Sequence, residues 1–285
     1  MILPLVMMIF LLGQVFPLLA KDYPLPPGTL LRLPKNSKIK INWLVPSSNK
    51  EISQMENLSF GVDESGEPWL GFKRKYLFNP LRRVIFTLDR EFEDFIFLAG
   101  EFLLISRKAL GYLVYNRDAP LRFVPLIELP TEEGKLFKGE KDRLYVLLSE
   151  RSKGEYEVYR LMEKGGQGVA EKIFTTKEPI VDLCESGNIL YMVSGKLILG
   201  LDTDKRDIFL HHKHRDILRE IECSPDVGIF YATERRVGFI GKNKRVEFME
   251  AKEPKILLKN DSLFILLKNH LGVLRLDHVR DFDKY

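Results

Sequence analysis

Glutamine is nearly missing from this chain of 285 residues. Gln14, Gln54 and Gln167 are the whole supply, against 44 Lys and Arg and 40 Asp and Glu. Scarce glutamine beside many charges is the composition of a heat-adapted protein. Cysteine is as scarce. Cys184 and Cys223 are too few for a disulfide-built scaffold. They can be two small buried hydrophobes, or a single bridge if their Cα atoms come within about 7 Å. An excess of one charge sign is also missing, since the formal net charge is only +4. That argues against a dedicated nucleic-acid binder, which concentrates basic charge on one face. No Walker loop, dinucleotide fingerprint, Gly-x-Ser-x-Gly elbow or His-Glu-x-x-His is present. No apolar periodicity predicts a helix of ten or more residues.

Residues 1–20 hold no charged side chain, and Ile2 to Leu12 is apolar apart from Pro4. An apolar run ending in Leu18-Leu19-Ala20 before Lys21-Asp22 has the pattern of a secretory signal, although the basic start is missing. About 20 apolar residues can also span a bilayer, so an uncleaved anchor is the alternative. No Cys follows, which excludes a lipid-modified cysteine. Both readings put the remainder in the periplasm or outside the cell. Residues 21–28 then read as a stiff linker, because Pro24, Pro26 and Pro27 forbid a helix.

From Pro179 onward the chain repeats itself. Ile189–Val193 and Leu197–Leu201 flank Ser194-Gly195, and Ile208–Leu210 follows. The pattern returns at Ile229–Tyr231, Val237–Ile240 and Val246–Phe248, and again at Leu263–Leu267 and Leu271–Leu276. Comparable points earlier in the chain extend the series: Phe60, Phe97, Val146, Met192, Tyr231 and Ile265. Their mean spacing is about 41 residues, the period of a four-stranded propeller blade. The expected fold is all-β over residues 29–285: a six-bladed β-propeller with four-stranded antiparallel blades, with seven blades as the alternative. A ring must close or leave raw edges. The C-terminal unit is short of strands, so an N-terminal strand, Thr29–Leu33, is expected to complete the last blade.

One stretch carries a family likeness. Asp63, Gly66, Trp69 and Gly71 resemble the repeat of the regulator-type β-propellers, with Phe72 where that repeat has threonine. The resemblance covers about 15 residues. It implies that Asp63 and Gly66 turn a hairpin and that Trp69 packs between blades. It implies no activity.

His211, His212 and His214 are the metal candidates, since His212 and His214 share one side of a strand and imidazoles bind zinc, copper or nickel. A site would also need a carboxylate. Without one the three belong to a solvated loop. The pairs around Glu132-Glu133 and Glu91–Asp94 read as surface turns, and Asp202-Thr203-Asp204 is too short for a calcium loop. Basic residues cluster at Lys73–Lys75 with Arg82-Arg83, and at Arg235-Arg236 with Lys242, Lys244 and Arg245. They suit solvated edges, or an anionic partner. The presumed inner strands are apolar, with no Asp, Asn, Glu or His repeated at one blade position. The expectation is therefore an exported, envelope-associated, monomeric module that binds a protein, a ligand or an anionic envelope component. No catalytic residue and no cofactor is expected. The alternative is a propeller enzyme of the lactonase, lyase or quinoprotein kind. The binding surface is expected on the less regular first units, around Asn116–Pro120 and Glu163–Gly168.

Overall fold

A computed structural model describes residues 28–32, 41–45, 59–114, 120–131, 133–150, 153–164, 167–241, 244–267 and 270–276. Residues 1–27 lie outside these, and with them the proposed leader and most of the linker. Six antiparallel sheets follow one another along the chain. Blade 1 is β3 (Ser59–Val62), β4 (Pro68–Phe72), β5 (Tyr76–Asn79) and β6 (Val84–Thr87). Blade 2 is β7 (Asp94–Leu98), β8 (Glu101–Ser106), β9 (Ala109–Val114) and β10 (Arg122–Glu128). Blade 3 is β11 (Gly134–Lys138), β12 (Leu144–Glu150), β13 (Glu155–Lys164) and β14 (Gln167–Thr176). Blade 4 is β15 (Asp182–Ser186), β16 (Ile189–Ser194), β17 (Leu197–Asp202) and β18 (Ile208–Lys213). Blade 5 is β19 (Leu218–Ser224), β20 (Gly228–Thr233), β21 (Arg236–Ile240) and β22 (Arg245–Glu250). Blade 6 is β23 (Lys255–Lys259), β24 (Ser262–Leu267) and β25 (His270–Arg275), completed by β2 (Ile41–Val45). A 3-10 turn lies at Glu140–Asp142.

The first strands of consecutive blades touch in a closed circuit, β3 to β7, β11, β15, β19, β23 and back to β3. This is a six-bladed β-propeller. Between each pair of neighbouring blades lies one apolar cluster, six in all among the described residues. The fold is stabilised by blade-on-blade packing of leucine, aromatic and β-branched side chains, as expected of sheets buried on both faces.

Ring closure works as expected, but through a different strand. Ile41–Val45 pairs with β25 and buries Trp43 beside Gly272, where a Cβ would sit 2.9 Å from the indole. Leu30–Leu31 (β1), within the predicted Thr29–Leu33, instead adds a fifth strand to blade 5, opposite Met249 and Glu250. The vacancy in the last blade is filled by the strand that brings a large buried side chain. The shorter strand has only an open edge to cover, held by Arg32 on Glu250 at 2.6 Å.

The turn stretch in blade 1 behaves as its resemblance implies. Asp63 Oδ1 accepts the backbone N–H groups of Ser65 and Glu67, and its Oδ2 accepts the Trp69 indole N–H at 3.0 Å. Gly66 takes φ +82°, a conformation that favours glycine. Trp69 packs against Phe97 and Phe102 of blade 2.

Candidate functional site

The inner strands are not apolar throughout. Counted back from the closing pair of each inner hairpin, Asp94, Gly134, Asp182, Glu220 and Lys255 occupy one equivalent position in blades 2 to 6. Three of the five are carboxylates. The expectation that no Asp or Glu repeats at one blade position is therefore overturned. It arose because Phe60 and Phe97 lie on first strands, whereas Val146, Met192, Tyr231 and Ile265 lie on second strands. The true inner strands of blades 3, 4 and 6 open on Gly or charge, and that of blade 5 alternates charged with apolar residues, so a search for apolar runs passes over them.

Each of these acids reaches one blade onward. Asp94 Oδ2 accepts the N–H of Leu136 at 2.9 Å, Asp182 Oδ2 that of Ile221 at 2.7 Å, and Glu220 Oε2 that of Ile256 at 2.6 Å. An inner strand presents unpaired N–H groups toward the axis, and these side chains satisfy them. Lys135 works in the same way, donating to the carbonyl of Val181 at 2.9 Å. Together they line a central cavity of about 300 Å³, with Ser59, Arg74, Glu93 and Glu222 also on its wall. Arg74 and Glu93 pair at 3.0 Å. Glu222 also borders a second cavity of about 340 Å³, which is lined by Lys138, Glu140, Glu185 and Lys259.

The electrostatics of the wall are dominated by burial. Asp94 and Glu220 are raised above the ordinary carboxylate range by loss of water, and Glu222 is raised well above it. Asp182 is pushed up to about 7, first by burial, against the pull of Lys135 and with the push of Glu220. For Glu222, burial is reinforced by Asp182 and Glu220, so the acids raise one another. The arrangement can bind a cation, accept hydrogen bonds or hold protons near neutrality. Among the described residues, no three His, Cys, Asp or Glu side chains converge closely enough to hold a metal ion.

Cys184 and Cys223 lie on the first strands of blades 4 and 5. They form a disulfide with Cα atoms 5.4 Å apart. The reading as two unlinked hydrophobes is corrected. Near the axis neighbouring blades converge, so positions one repeat apart come within bonding reach.

The histidines are on the opposite side of the blade. His211 and His212 belong to β18, the outermost strand of blade 4, and His214 follows it. His211 packs edge-on against Tyr191. His214 is buried, tilted against Tyr231 with ring centroids 4.8 Å apart, and its Nδ1 lies 2.9 Å from the backbone N of Asp216. A carboxylate does approach: Glu247 Oε1 lies 3.9 Å from His214 Nε2. That same carboxylate is already taken by Arg215 at 2.7 Å, Arg245 at 2.6 Å and Arg236 at 3.6 Å. Burial and Arg245 hold His214 and His212 below the ordinary imidazole range, and burial does the same for His211. Three guanidinium groups make this a poor place for a metal cation.

Of the other singled-out features, Asp202 is a turn residue, with Oδ1 accepting from the N–H groups of Asp204 and Lys205. Of the predicted Glu163–Gly168 segment, Glu163 pairs with Gly168 and Lys164 with Gln167 at the end of the β13–β14 ladder, and Gly165 and Gly166 lie outside the described residues. Residues 115–119, most of the predicted Asn116–Pro120 loop, lie outside the described residues. The basic turn at Lys73–Lys75 contributes Arg74 to the cavity wall. Lys242 of the other basic cluster lies outside the described residues. Arg236 and Arg245 sit on Glu247.

No family model matches the sequence, and no curated protein matches it. Solved structures do resemble it. A gluconolactonase from Xanthomonas campestris superimposes with a TM-score of 0.55 at 12% identity, over 83% of this chain and 89% of that one. The extracellular domain of BT3049 from B. thetaiotaomicron gives 0.54 at 14% identity, over 77% of this chain and 33% of that one. PorZ, a surface component of the type-IX secretion system of Porphyromonas gingivalis, gives 0.50 at 13%, over 88% and 36%. The chain thus spans about a third of the length of the last two. At these identities the likeness establishes the fold alone: the chain is a six-bladed β-propeller whose site must be read from its own residues.

Proposed function

We propose that this propeller is an exported, envelope-associated binding module, and that its central cavity is the binding site. One observation carries the reading. Asp94, Asp182 and Glu220 each accept a backbone N–H that an Asn or Gln would accept equally well. A neutral amide would fill that role without the desolvation cost of a carboxylate. Keeping acids there, with Glu222 beside them, is the pattern of a site that trades stability for chemistry. In their ionised form Asp94, Asp182, Glu220, Glu222 and Glu93 outnumber Arg74, Lys135 and Lys255 on the wall, so above the raised carboxyl values the field favours a small ligand with a cationic group. The disulfide supports export, because such bridges persist in oxidising compartments.

Calorimetric titration with spermidine as the cationic probe tests the site. Binding to the native protein, lost in Glu220→Gln, is the expected result. Equal heats from both proteins would remove the cavity from consideration. Export is tested in the source cells by trapping free thiols during lysis and fractionation. An oxidised protein in the envelope fraction is expected, and a reduced one in the cytoplasm would contradict it.

A catalytic reading rests on the same carboxyls, since an acid held protonated near neutrality can serve as a general acid.

A further inference from the structure

The outer edges of the blades are not equally protected, and β6 of blade 1, though as uncharged as β18, exposes a single large apolar residue, Ile85 at 51%. Blade 5 is covered by β1, and blade 6 ends in β2. The outer strand of blade 2 contains Pro125 and a bulge beside it, and that of blade 3 carries Glu171 and Lys172. Pro, bulges and charge are the usual devices against edge pairing. Blade 4 ends in β18, which opens with three consecutive exposed apolar residues: Ile208 at 50%, Phe209 at 41% and Leu210 at 58%. No charge interrupts them.

The backbone of that edge is also open. The carbonyl of Asp207 accepts the N–H of Asp202, so Asp207 faces inward to β17. Alternation along an antiparallel strand then turns Phe209 inward and directs the N–H and C=O of Ile208 and Leu210 outward. Phe209 lies over Gly200 of β17, where a Cβ would clash with the ring at 2.3 Å.

We propose that β18 pairs with β18 of a second copy of this chain, antiparallel, about a two-fold axis at Phe209. This register is the one that uses both open residues. Ile208 faces Leu210 of the other copy, and Leu210 faces Ile208, so each exchanges its N–H and C=O bonds across the axis. Side chains opposite one another share a face. Ile208 and Leu210 of both copies therefore form a four-residue apolar cluster on one side of the joined sheet, with the two Phe209 rings on the other. Asp207 stands opposite His211 at both ends, a polar pairing repeated by symmetry. All of this precedes the bulge that begins after Leu210. The neighbouring blade shows that an outer strand here accepts an added antiparallel strand: β1 lies on β22 through Leu30 and Leu31. The interface is isologous and closes as a dimer. It departs from the monomer expected from the sequence, and it is independent of what the central cavity binds.

Sedimentation equilibrium of the purified protein over about 1–100 μM tests the pairing. The native protein is expected to be a dimer that dissociates on dilution. Ile208→Lys and Leu210→Asp each place a charge against an apolar residue twice per dimer, and each should weaken association by about ten-fold or more. The double variant Ile208→Lys/Leu210→Asp puts each new lysine opposite a new aspartate and should recover association to within about three-fold of native. The substituted positions are exposed, so native circular dichroism and an intact Cys184–Cys223 bridge are expected throughout. A native protein that is monomeric over the whole range overturns the proposal, even if it captures a foreign strand. So does a dimer indifferent to both single variants, or folded single variants whose combination gives no recovery.

Discussion

The central cavity and the outer interface of blades 4 and 5 both hold buried titratable groups, and they manage them in opposite ways. At the outer interface Glu247 is surrounded by Arg215, Arg236 and Arg245, and the nearby histidines are kept neutral. Every charge there has a counter-charge. In the cavity Asp182, Glu220 and Glu222 raise one another, and Lys135 and Lys255 offset only part of that. Burial favours the neutral form in both places. For the acids the neutral form is protonated, and for the histidines it is deprotonated. The first region solves a packing problem, while the second leaves one unsolved.

The pH consequences run in opposite directions. A carboxyl raised in the folded state binds a proton that the unfolded chain has released. The cavity acids therefore contribute stability in mild acid that is lost as pH rises from the ordinary carboxylate range through the raised values, near 7 for Asp182. A histidine lowered in the folded state binds fewer protons than the unfolded chain. Its stability is present above the ordinary imidazole value and is lost as pH falls below it. The two limbs together predict a stability maximum in mildly acidic solution.

The comparison can be broken most forcefully at the bridge that staples the cavity wall. A sequence separation of 39 implies a loss of about 4 kcal/mol in Cys223→Ser by chain entropy. Calorimetry should show melting roughly 6–8 °C lower, and an unchanged melting temperature would mean that the wall does not depend on it. Next is Glu247→Gln, which takes the carboxylate from Arg245 and leaves Arg215 and Arg236 to share Asp216. Urea unfolding should show a loss of about 1–3 kcal/mol, and a neutral result would remove the claim that this region is compensated. Glu222→Gln should have the opposite sign, a gain of roughly 1 kcal/mol at pH 8 that shrinks toward pH 5. The smallest effect is expected of His214→Gln: a flatter acid limb below pH 6.5, seen as a shallower fall in melting temperature between about pH 6.5 and 5.

Much of the fold was legible because the second and third strands of each blade are apolar runs divided by tight turns, as in Ile189–Val193, Ser194-Gly195 and Leu197–Leu201. The number of blades survived although the marker residues drifted from first to second strands. The closing strand was misplaced because Leu30–Leu31 makes only two pairs, and the decisive feature, Gly272 opening space for Trp43, is a contact across the whole chain. The site was hidden for a related reason. Asp94 and Asp182 begin strands whose apolar character starts one residue later, and Glu220 stands among charged residues just before Ile221, so they look like turn residues. Their shared distance from the following hairpin turn, Ala99-Gly100, Gly187-Asn188 and the turn after Ser224, was the available signal. The bridge needed the radius of the ring, which spacing alone does not give.

The account stands or falls on whether the cavity acids oppose folding. The direct test is the melting temperature of Asp182→Asn/Glu222→Gln against the native protein across pH 5 to 8, with spermidine titrated at pH 8. The prediction is a variant that melts higher than native at pH 8, loses that advantage by pH 5 and no longer binds the amine. A variant that melts lower at every pH would show that the carboxylates are there to hold the ring together.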